Sequence, residues 1–285
     1  MRYLYYTGCT IPARMNNYDA SARQVAKALN IELIELQNAV CCGTVNIKSV
    51  DIKTWLSLGA YNLALAEKDD MDLVTLCNGC FSTLKDSKHI LDSKSNLKNE
   101  INEILSETNL IYNGTIKVKH FIEVLYTDLG IDFIKNKIVN PLDNLKVAIH
   151  YGCHAIRPSD VANLDDPENP KILENLTIIT GAKPIEWRFK DQCCGGPILG
   201  INEDLSLKMV RNKFIGAKEA GADCFITICP FCAVQLDVMQ MKVEQKYNEK
   251  YEIPVLYYTQ LLGLALGINP ELLGFDLNRV PVNFI

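Results

Sequence analysis

A pattern of five cysteines that occurs twice, in the same order, is the strongest constraint on the fold of this sequence. Each copy contains a single cysteine, then an adjacent Cys-Cys pair, then a Cys-x-x-Cys pair. The first set is Cys9, Cys41, Cys42, Cys77 and Cys80, and the second set is Cys153, Cys193, Cys194, Cys229 and Cys232. The paired cysteines of the second set each lie 152 positions after their counterparts. This internal repeat predicts two related domains, residues 1–140 and 141–285.

The residues around the cysteines repeat as well. The segment "YYTGC" at Tyr5 corresponds to "IHYGC" at Ile149, and "LVTLCNGC" at Leu73 corresponds to "FITICPFC" at Phe225. The second copy has eight more residues before its Cys-Cys pair, and we expect them in the polar, proline-containing loop at residues 164–170. Cys224 lies outside both sets and is predicted to be a small buried apolar residue.

Each copy alternates short apolar segments with helical patterns. The predicted strands are residues 3–7, 31–36 and 72–76 in the first copy and 146–151, 183–189 and 224–228 in the second. This alternation predicts an α/β fold with two pseudo-symmetric Rossmann-like lobes, each built on a parallel sheet. Most of the cysteines directly follow a predicted strand. We therefore expect both sets at the carboxyl-terminal edges of the sheets, where α/β proteins bind ligands.

Charge and hydropathy exclude several classes of protein. The 285 residues carry a net charge of −5, which argues against nucleic-acid binding. No apolar segment reaches the roughly 18–20 residues of a membrane span, and the N-terminus does not resemble a signal peptide. We therefore expect a soluble, cytoplasmic protein. In that reducing compartment, eleven cysteines indicate metal or redox chemistry rather than disulfides.

Three kinds of site remain open for five converging thiols. A structural zinc site uses four ligands, and a dithiol–disulfide couple uses two. An iron–sulfur cluster is favoured because adjacent thiolates diverge and so suit different irons, although the compact cysteine run of ordinary cubane clusters is absent. Gly43, Gly195 and Gly196 follow the Cys-Cys pairs, and we expect them to give clearance and N–H donors to sulfur.

These motifs resemble the cysteine-rich CCG domain, which has the same five-cysteine spacing. With two copies, and with the first repeat at the very start of the chain, the sequence is similar to the B-subunit family of the heterodisulfide reductases of methanogenic archaea. Tandem CCG domains also occur in electron-transfer subunits of lactate or glycolate, glycerol-3-phosphate, succinate and fumarate oxidoreductases. An electron-transfer protein of that kind is the alternative prediction.

The resemblance implies a specific cofactor and reaction. Each cysteine set would hold one noncubane [4Fe-4S] cluster, and the two clusters would face each other across a pseudo-two-fold interface. The substrate would be the coenzyme M–coenzyme B heterodisulfide, a small molecule that is reduced to two thiols in methanogenesis. Each sulfur would be captured by one cluster.

The resemblance also implies partners. The sequence contains neither a dinucleotide-binding fingerprint nor a ferredoxin-type cysteine run, so electrons must come from elsewhere. The expected donors are an iron–sulfur C subunit and a flavin-containing A subunit, linked to a hydrogenase or formate dehydrogenase in an electron-bifurcating complex.

Charged residues near the cysteines are candidate contacts for an anionic substrate, and Gly43, Gly195 and Gly196 are candidate substrate-binding residues as well. Arg14 and Arg157 follow the first cysteine of each copy, while Arg188 and Lys190 precede the second Cys-Cys pair. His154 is adjacent to Cys153 and is a candidate proton donor to a departing thiolate.

Overall fold

Each half of the chain forms a four-stranded parallel sheet with helices around it. The computed structural model describes residues 1–284. The first lobe contains the strands β1 (Arg2–Tyr6), β2 (Glu32–Glu35), β3 (Leu73–Thr75) and β4 (Val118–His120). The second lobe contains β5 (Lys146–His150), β6 (Lys183–Pro184), β7 (Cys224–Thr227) and β8 (Val255–Tyr257). The strand orders, β2-β1-β3-β4 and β6-β5-β7-β8, are the same, which confirms the predicted α/β fold with two pseudo-symmetric lobes.

The helices follow the strands in both lobes. The first lobe contains α1 (Thr10–Arg14), α2 (Asn16–Ala28), α3 (Thr44–Val50), α4 (Ile52–Lys68), α5 (Asn78–Ser93), α6 (Ser95–Ser106), α7 (Phe121–Glu123), a π-helical segment (Val124–Gly130) and α8 (Ile131–Lys135). The second lobe contains α9 (Cys153–Ile156), α10 (Ser159–Ala162), α11 (Ile172–Ile178), α12 (Glu203–Glu219), α13 (Pro230–Ala233), a π-helical segment (Val234–Val238), α14 (Gln240–Tyr247) and α15 (Tyr258–Ala265). Short 3-10 helices span Gly196–Ile198, Pro270–Leu273 and Phe275–Leu277.

The central strands are apolar because helices cover both of their faces. In the first sheet Leu4 of β1 pairs with Leu73 of β3. In the second sheet Phe225 of β7 pairs with Ala148 of β5 on one side and Val255 of β8 on the other. All five of these residues are buried, as expected for parallel strands between helical layers.

The strand predicted at residues 183–189 is much shorter than the sequence indicated. Only Lys183 and Pro184 pair with β5 as a strand, and the Ile185 N–H still donates to the Val147 carbonyl. Beyond Ile185 the hydrogen bond to β5 comes from a side chain instead of the main chain: Trp187 Nε1–H donates to the Ile149 carbonyl at 3.1 Å. The apolar residues of this segment therefore belong to a loop rather than to a longer strand.

The two lobes pack through equivalent helices. α5 of the first lobe contacts α9 of the second, and α13 of the second lobe contacts α1 of the first. α2 also packs against α15, close to the point where the rings of Tyr18 and Tyr257 stack with centroids 3.7 Å apart. The Tyr18 hydroxyl donates to the Ile228 carbonyl at 3.1 Å, one residue before Cys229. The interface thus joins the segments that carry the cysteines.

Residues 164–170 form a loop between α10 and α11, at the place where the sequence predicts the extra residues of the second copy. The predicted domain boundary at residues 140 and 141 falls between α8 and β5, and its exact position stays a prediction. Within residues 1–284, no helix has both the length and the apolar character needed to cross a membrane.

Candidate metal centre

The parallel sheets place the cysteines at their carboxyl-terminal edges. Cys9 and Cys77 each precede the first residue of a helix that follows a strand, as does Cys229 in the second lobe. Cys153 is the first residue of α9. Each vicinal pair lies in a loop that leads from the edge strand to the next helix. Strand ends that are distant in sequence therefore meet at one edge of each sheet.

Both cysteine sets line a single cavity between the lobes, of about 250 Å³. Nine of the ten cysteines border it: Cys9, Cys41, Cys77, Cys80, Cys153, Cys193, Cys194, Cys229 and Cys232. Cys42 completes the first set, with its Sγ 3.6 Å from that of Cys80. The structure thus brings all ten predicted cysteines together, while Cys224 is fully buried in β7 outside the cavity lining. Their role as metal ligands stays a prediction.

The sulfur spacing fits thiols that share a metal. Sγ–Sγ distances are 3.8 Å for Cys9 and Cys41 and 3.5 Å for Cys194 and Cys232. All eleven cysteines are free, and a disulfide would need sulfurs about 2.05 Å apart. Two thiolates bound tetrahedrally to one metal at about 2.3 Å lie about 3.8 Å apart. The donor set therefore fits a thiolate-bound metal or iron–sulfur group.

The thiols of each set interact with one another strongly. Hydrogen bonding to Cys41 and Cys80 lowers the pKa of Cys42, while hydrogen bonding to Cys42 raises the pKa of Cys41. Hydrogen bonding to Cys42 and to Cys77, together with burial, raises the pKa of Cys80. Such clustered thiols cannot all lose their protons unless positive charge enters the site, which is what metal ions supply.

The two sets touch at equivalent positions. An interaction with Cys229 raises the pKa of Cys77, and interactions with Cys232 and then Cys77 lower the pKa of Cys229. Cys77 and Cys229 are the first residues of the two Cys-x-x-Cys motifs. The pseudo-two-fold relation between the lobes therefore passes close to this pair. Asn78 strengthens the junction, since its Nδ2 donates to the Tyr151 carbonyl at 2.6 Å.

Glycines shape the chain behind both vicinal pairs. Gly43 and Gly195 each have a φ of 82°, a left-handed conformation that favours glycine. Their N–H groups donate to Cys41 Sγ and Cys193 Sγ, in both cases at 3.4 Å. Gly196 lies against Phe231, and a Cβ at Gly196 would come within 2.4 Å of that ring. Gly43 and Gly195 thus direct N–H groups at sulfur, whereas the space beside Gly196 is occupied by the Phe231 ring. The role of all three glycines in clearance for a metal group and in substrate binding stays a prediction.

Unlike the cysteines, the predicted substrate contacts do not all line the cavity between the lobes. His154 lines the cavity between the lobes. Arg157 and Lys190 line a smaller adjoining recess that shares Gly152 and Cys153 with the cavity. Arg157 donates to the Pro167 and Asp191 carbonyls, and Lys190 pairs with Glu186 at 2.7 Å.

The other two cations are on the surface. Arg14 is exposed at the end of α1, and Arg188 pairs with Glu219 at 3.2 Å. Within the described part of the chain, neither lysine nor arginine is among the residues that line the cavity. The assignment of Arg14, Arg157 and Lys190 to substrate binding stays a prediction.

Two buried polar residues mark a difference between the sets that the spacing of cysteines does not reveal. A ring nitrogen of His150 lies within 4.8 Å of the Cys194 and Cys232 sulfurs. The first lobe has Tyr6 at the corresponding position, and its hydroxyl donates to the Val40 carbonyl at 2.6 Å. Burial lowers the pKa of His150 to about 3. The mismatch of "YYTGC" and "IHYGC" is the only sequence signal for this difference.

The family model of the CCG cysteine-rich domain matches residues 3–85 and 147–237. The chain belongs to the CCG cysteine-rich domain family. It is 39% identical over 278 residues to the B subunit of the Ferredoxin/F(420)H(2)-dependent CoB-CoM heterodisulfide reductase of Methanosarcina acetivorans, with 96% of this chain and 92% of that protein covered. It is 33% identical over 278 residues to the 8-methylmenaquinol:fumarate reductase membrane anchor subunit of Wolinella succinogenes, with 98% and 96% covered.

The fold is also found in a solved structure. A hypothetical protein from Helicobacter pylori matches the whole chain with a TM-score of 0.80 and 20% sequence identity. This chain spans 53% of that protein's chain, and the likeness concerns the fold. Family membership, the named relatives and the two cysteine sets together support an iron–sulfur electron-transfer subunit of an oxidoreductase.

Proposed function

We propose that this chain is the B-type subunit of a multi-subunit oxidoreductase in which a heterodisulfide, that of coenzymes M and B, is reduced to two thiols. Each cysteine set would hold one noncubane [4Fe-4S] cluster. The observation that carries this proposal is the single cavity bordered by both sets. The 39% identity to the B subunit of a CoB-CoM heterodisulfide reductase supports the choice of substrate.

The reaction has a simple balance. One disulfide takes up two electrons and two protons, its S–S bond breaks, and two thiols leave. When bound, the two iron–sulfur groups supply one-electron redox chemistry on both sides of the cavity. The duplicated sites match a substrate that is nearly symmetric about its S–S bond.

The residues of the chain would hold the groups, shape the cavity and move protons. The ten cysteines provide five thiolate ligands for each group, and the Gly43 and Gly195 N–H groups would stabilise sulfur charge. Apolar side chains, those of Pro197 and Phe231 among them, line the cavity and would exclude water from the disulfide.

The two sides of the cavity differ in the residue beside the first cysteine of each set. His154 lines the cavity beside Cys153 and would donate a proton to one departing thiolate. Thr10, its counterpart beside Cys9 in the first set, also lines the cavity but offers only a hydroxyl. The two half-reactions would therefore differ in how the departing sulfur is protonated.

The electrons would enter from partner subunits. The proposed partners are an iron–sulfur C subunit and a flavin-containing A subunit, associated with a hydrogenase or formate dehydrogenase. The similarity to the B subunit of a multi-subunit reductase supports assembly into a complex of this kind. If the isolated chain oxidised hydrogen or a nicotinamide in the presence of the heterodisulfide, the need for these partners would be disproved.

Anaerobic metal analysis and EPR test the proposal directly. We expect about eight iron atoms per chain for two four-iron clusters. In the oxidised protein, the thiol of coenzyme M should generate a new EPR signal. Lactate or succinate added at the same concentration should not change the spectrum. A chain that binds about two zinc ions and no iron would contradict every redox function.

A relay function in a fumarate-type oxidoreductase is the second candidate. It is favoured by the 33% identity to the fumarate reductase protein of Wolinella succinogenes. In a relay, the iron–sulfur groups would be reduced and reoxidised without binding a thiol. Full iron content combined with a spectrum that does not respond to coenzyme M thiol would support this candidate over disulfide reduction.

A further inference from the structure

We propose that Lys213 makes the second iron–sulfur centre easier to reduce than the first. This inference rests on the proposed presence of one centre in each cysteine set. Lys213 lies on α12 and its side chain is fully buried, with 0% of its surface exposed. A buried lysine is uncommon, and it has no part in the proposed reaction.

The contacts of Lys213 do not neutralise its charge. Its Nζ donates to the Phe189 carbonyl and lies 5.4 Å from the centroid of the Trp187 ring. None of the ion pairs formed within residues 1–284 includes Lys213. A buried cation without a counter-charge is costly, so the fold must supply negative charge close by.

The second cysteine set lies close enough to provide that negative charge. The Trp187 ring beside Lys213 packs edge-on against His150, with centroids 6.5 Å apart. A ring nitrogen of His150 in turn lies within 4.8 Å of the Cys194 and Cys232 sulfurs. Burial lowers the pKa of Lys213 to about 8, while the thiolates of Cys194, Cys232 and Cys193 act in the opposite direction. Asp191 contributes in the same sense but less strongly. An iron–sulfur group bound by five thiolates carries net negative charge. It is therefore the natural counter-charge for Lys213.

The first lobe has a neutral residue at the same structural position. α4 begins after its N-cap Asp51 and α12 after its N-cap Asn202, and both helices have 17 residues. Asn62 and Lys213 each lie eleven positions after the cap, and both are fully buried. The two helices are offset by 151 positions rather than the 152 of the cysteines, so the match is visible only in the structure.

Asn62 and Lys213 also each form a hydrogen bond with the backbone of the segment that precedes a Cys-Cys pair. Asn62 Oδ1 accepts a hydrogen bond from the Val40 N–H at 2.9 Å, and Lys213 donates to the Phe189 carbonyl. Both contacts tie a long helix to the segment that leads into a Cys-Cys pair. In the first lobe the neutral amide of Asn62 is sufficient to form this link. The link therefore does not require a positive charge, and the charge of Lys213 is specific to the second lobe.

The added charge has a predictable effect. Reduction makes an iron–sulfur centre more negative, and a nearby buried cation stabilises the reduced form through Coulomb attraction in a low dielectric. The first electron delivered by an external reductant should therefore reside on the centre held by Cys153, Cys193, Cys194, Cys229 and Cys232. The two otherwise similar centres would then differ in potential.

An anaerobic redox titration with dithionite, followed by EPR, tests this inference on the iron-loaded chain. In Lys213→Met the midpoint potential of the second centre should move to more negative values. At a fixed potential its ratio of reduced to oxidised form should fall about tenfold. The first centre should not shift. Lys213→Arg retains the charge, and Lys208→Met removes an exposed charge from the same helix, so neither should move the potential.

The reciprocal variant Asn62→Lys adds a positive charge at the equivalent position of the first lobe and is an independent test. In this variant the midpoint potential of the first centre should rise. The signals are assigned with Cys193→Ser, which removes the second centre. Unchanged potentials in both Lys213→Met and Asn62→Lys, at full iron content, would overturn the inference and leave the proposed function intact. Absence of iron from the unmodified chain would instead overturn the proposed function.

Discussion

At the scale of single residues, the geometry of each Cys-Cys pair depends on the glycine that follows it. Gly43 and Gly195 both adopt φ of 82° and both direct an N–H at the sulfur two residues earlier. A Cβ at Gly195 would approach the Ser206 carbonyl oxygen to 3.1 Å. The conformation of Gly195 therefore disfavours a side chain, and a Cβ there would require the α12 backbone to shift by a few tenths of an ångström.

Gly195→Ala tests this constraint. A left-handed alanine costs about 1–2 kcal/mol, so we expect a lower thermal midpoint and weaker retention of iron by the second set. Thermal unfolding of the loaded chain under anaerobic conditions measures the first effect, and iron per chain measures the second. Gly200→Ala is the matched control, because nothing lies within 4 Å of a Cβ at that position. Equal behaviour of the two variants would contradict the argument.

The convergence of the ten cysteines could be predicted from the sequence because each set recurs at a fixed spacing beside predicted strands. The positions of the candidate substrate contacts could not be predicted in the same way. Arg14 and Arg188 lie near cysteines in sequence, but their side chains are exposed on the surface. The structural equivalence of Asn62 and Lys213 could not be found from the cysteine spacing. Helices α4 and α12 are offset by 151 positions, whereas the paired cysteines are offset by 152. Which residues of two helices are equivalent depends on where each helix begins, and the cysteine spacing does not give that position.

At the scale of elements, apolar alternation predicted most of the strands but overestimated β6. Residues 183–189 are apolar enough for a strand, yet Pro184 lacks an N–H and the Trp187 indole bonds to the β5 backbone instead. The apolar pattern of such a segment predicts that its apolar side chains are buried. It does not record whether the main chain or a side chain forms the hydrogen bonds.

The contact between α2 and α15 is one of those that join the lobes, and it can be tested at Tyr18. Tyr18→Phe keeps the stack on Tyr257 but removes the hydrogen bond to the Ile228 carbonyl, which should cost about 1 kcal/mol. Tyr18→Leu also removes the stack and should cost at least about 2 kcal/mol in the free energy of unfolding. Anaerobic denaturant titration of the two variants beside the unmodified chain measures both losses.

A readout specific to the interface separates this effect from ordinary loss of stability. Tyr18→Leu should speed limited proteolysis between α8 and β5, the segment that connects the lobes. Tyr112→Phe is the comparison, because its hydroxyl bonds to Asp92 within the first lobe. If both variants were cleaved at the same rate, the contact between α2 and α15 would not contribute to holding the lobes together.

At the scale of the whole molecule, duplication gives two similar sites that are not independent. Cys41 and Cys193 interact with thiols of their own set, whereas Cys77 and Cys229 interact across the junction of the lobes. The same fold therefore contains thiols that interact within one set and thiols that also interact with the other set. This distinction predicts two classes of cysteine variant.

Cys41→Ser and Cys193→Ser should each remove one EPR signal and leave the other unchanged, because each serine weakens a ligand of one set only. Cys229→Ser should remove the second signal and also alter the first, because Cys229 interacts with Cys77 of the first set. Spectra of the three variants at matched iron loading measure the outcome. Cys224→Ala should preserve both signals, since Cys224 is buried in β7 away from the cavity lining. Loss of both signals in Cys193→Ser would mean that the ten thiols hold one shared centre rather than two.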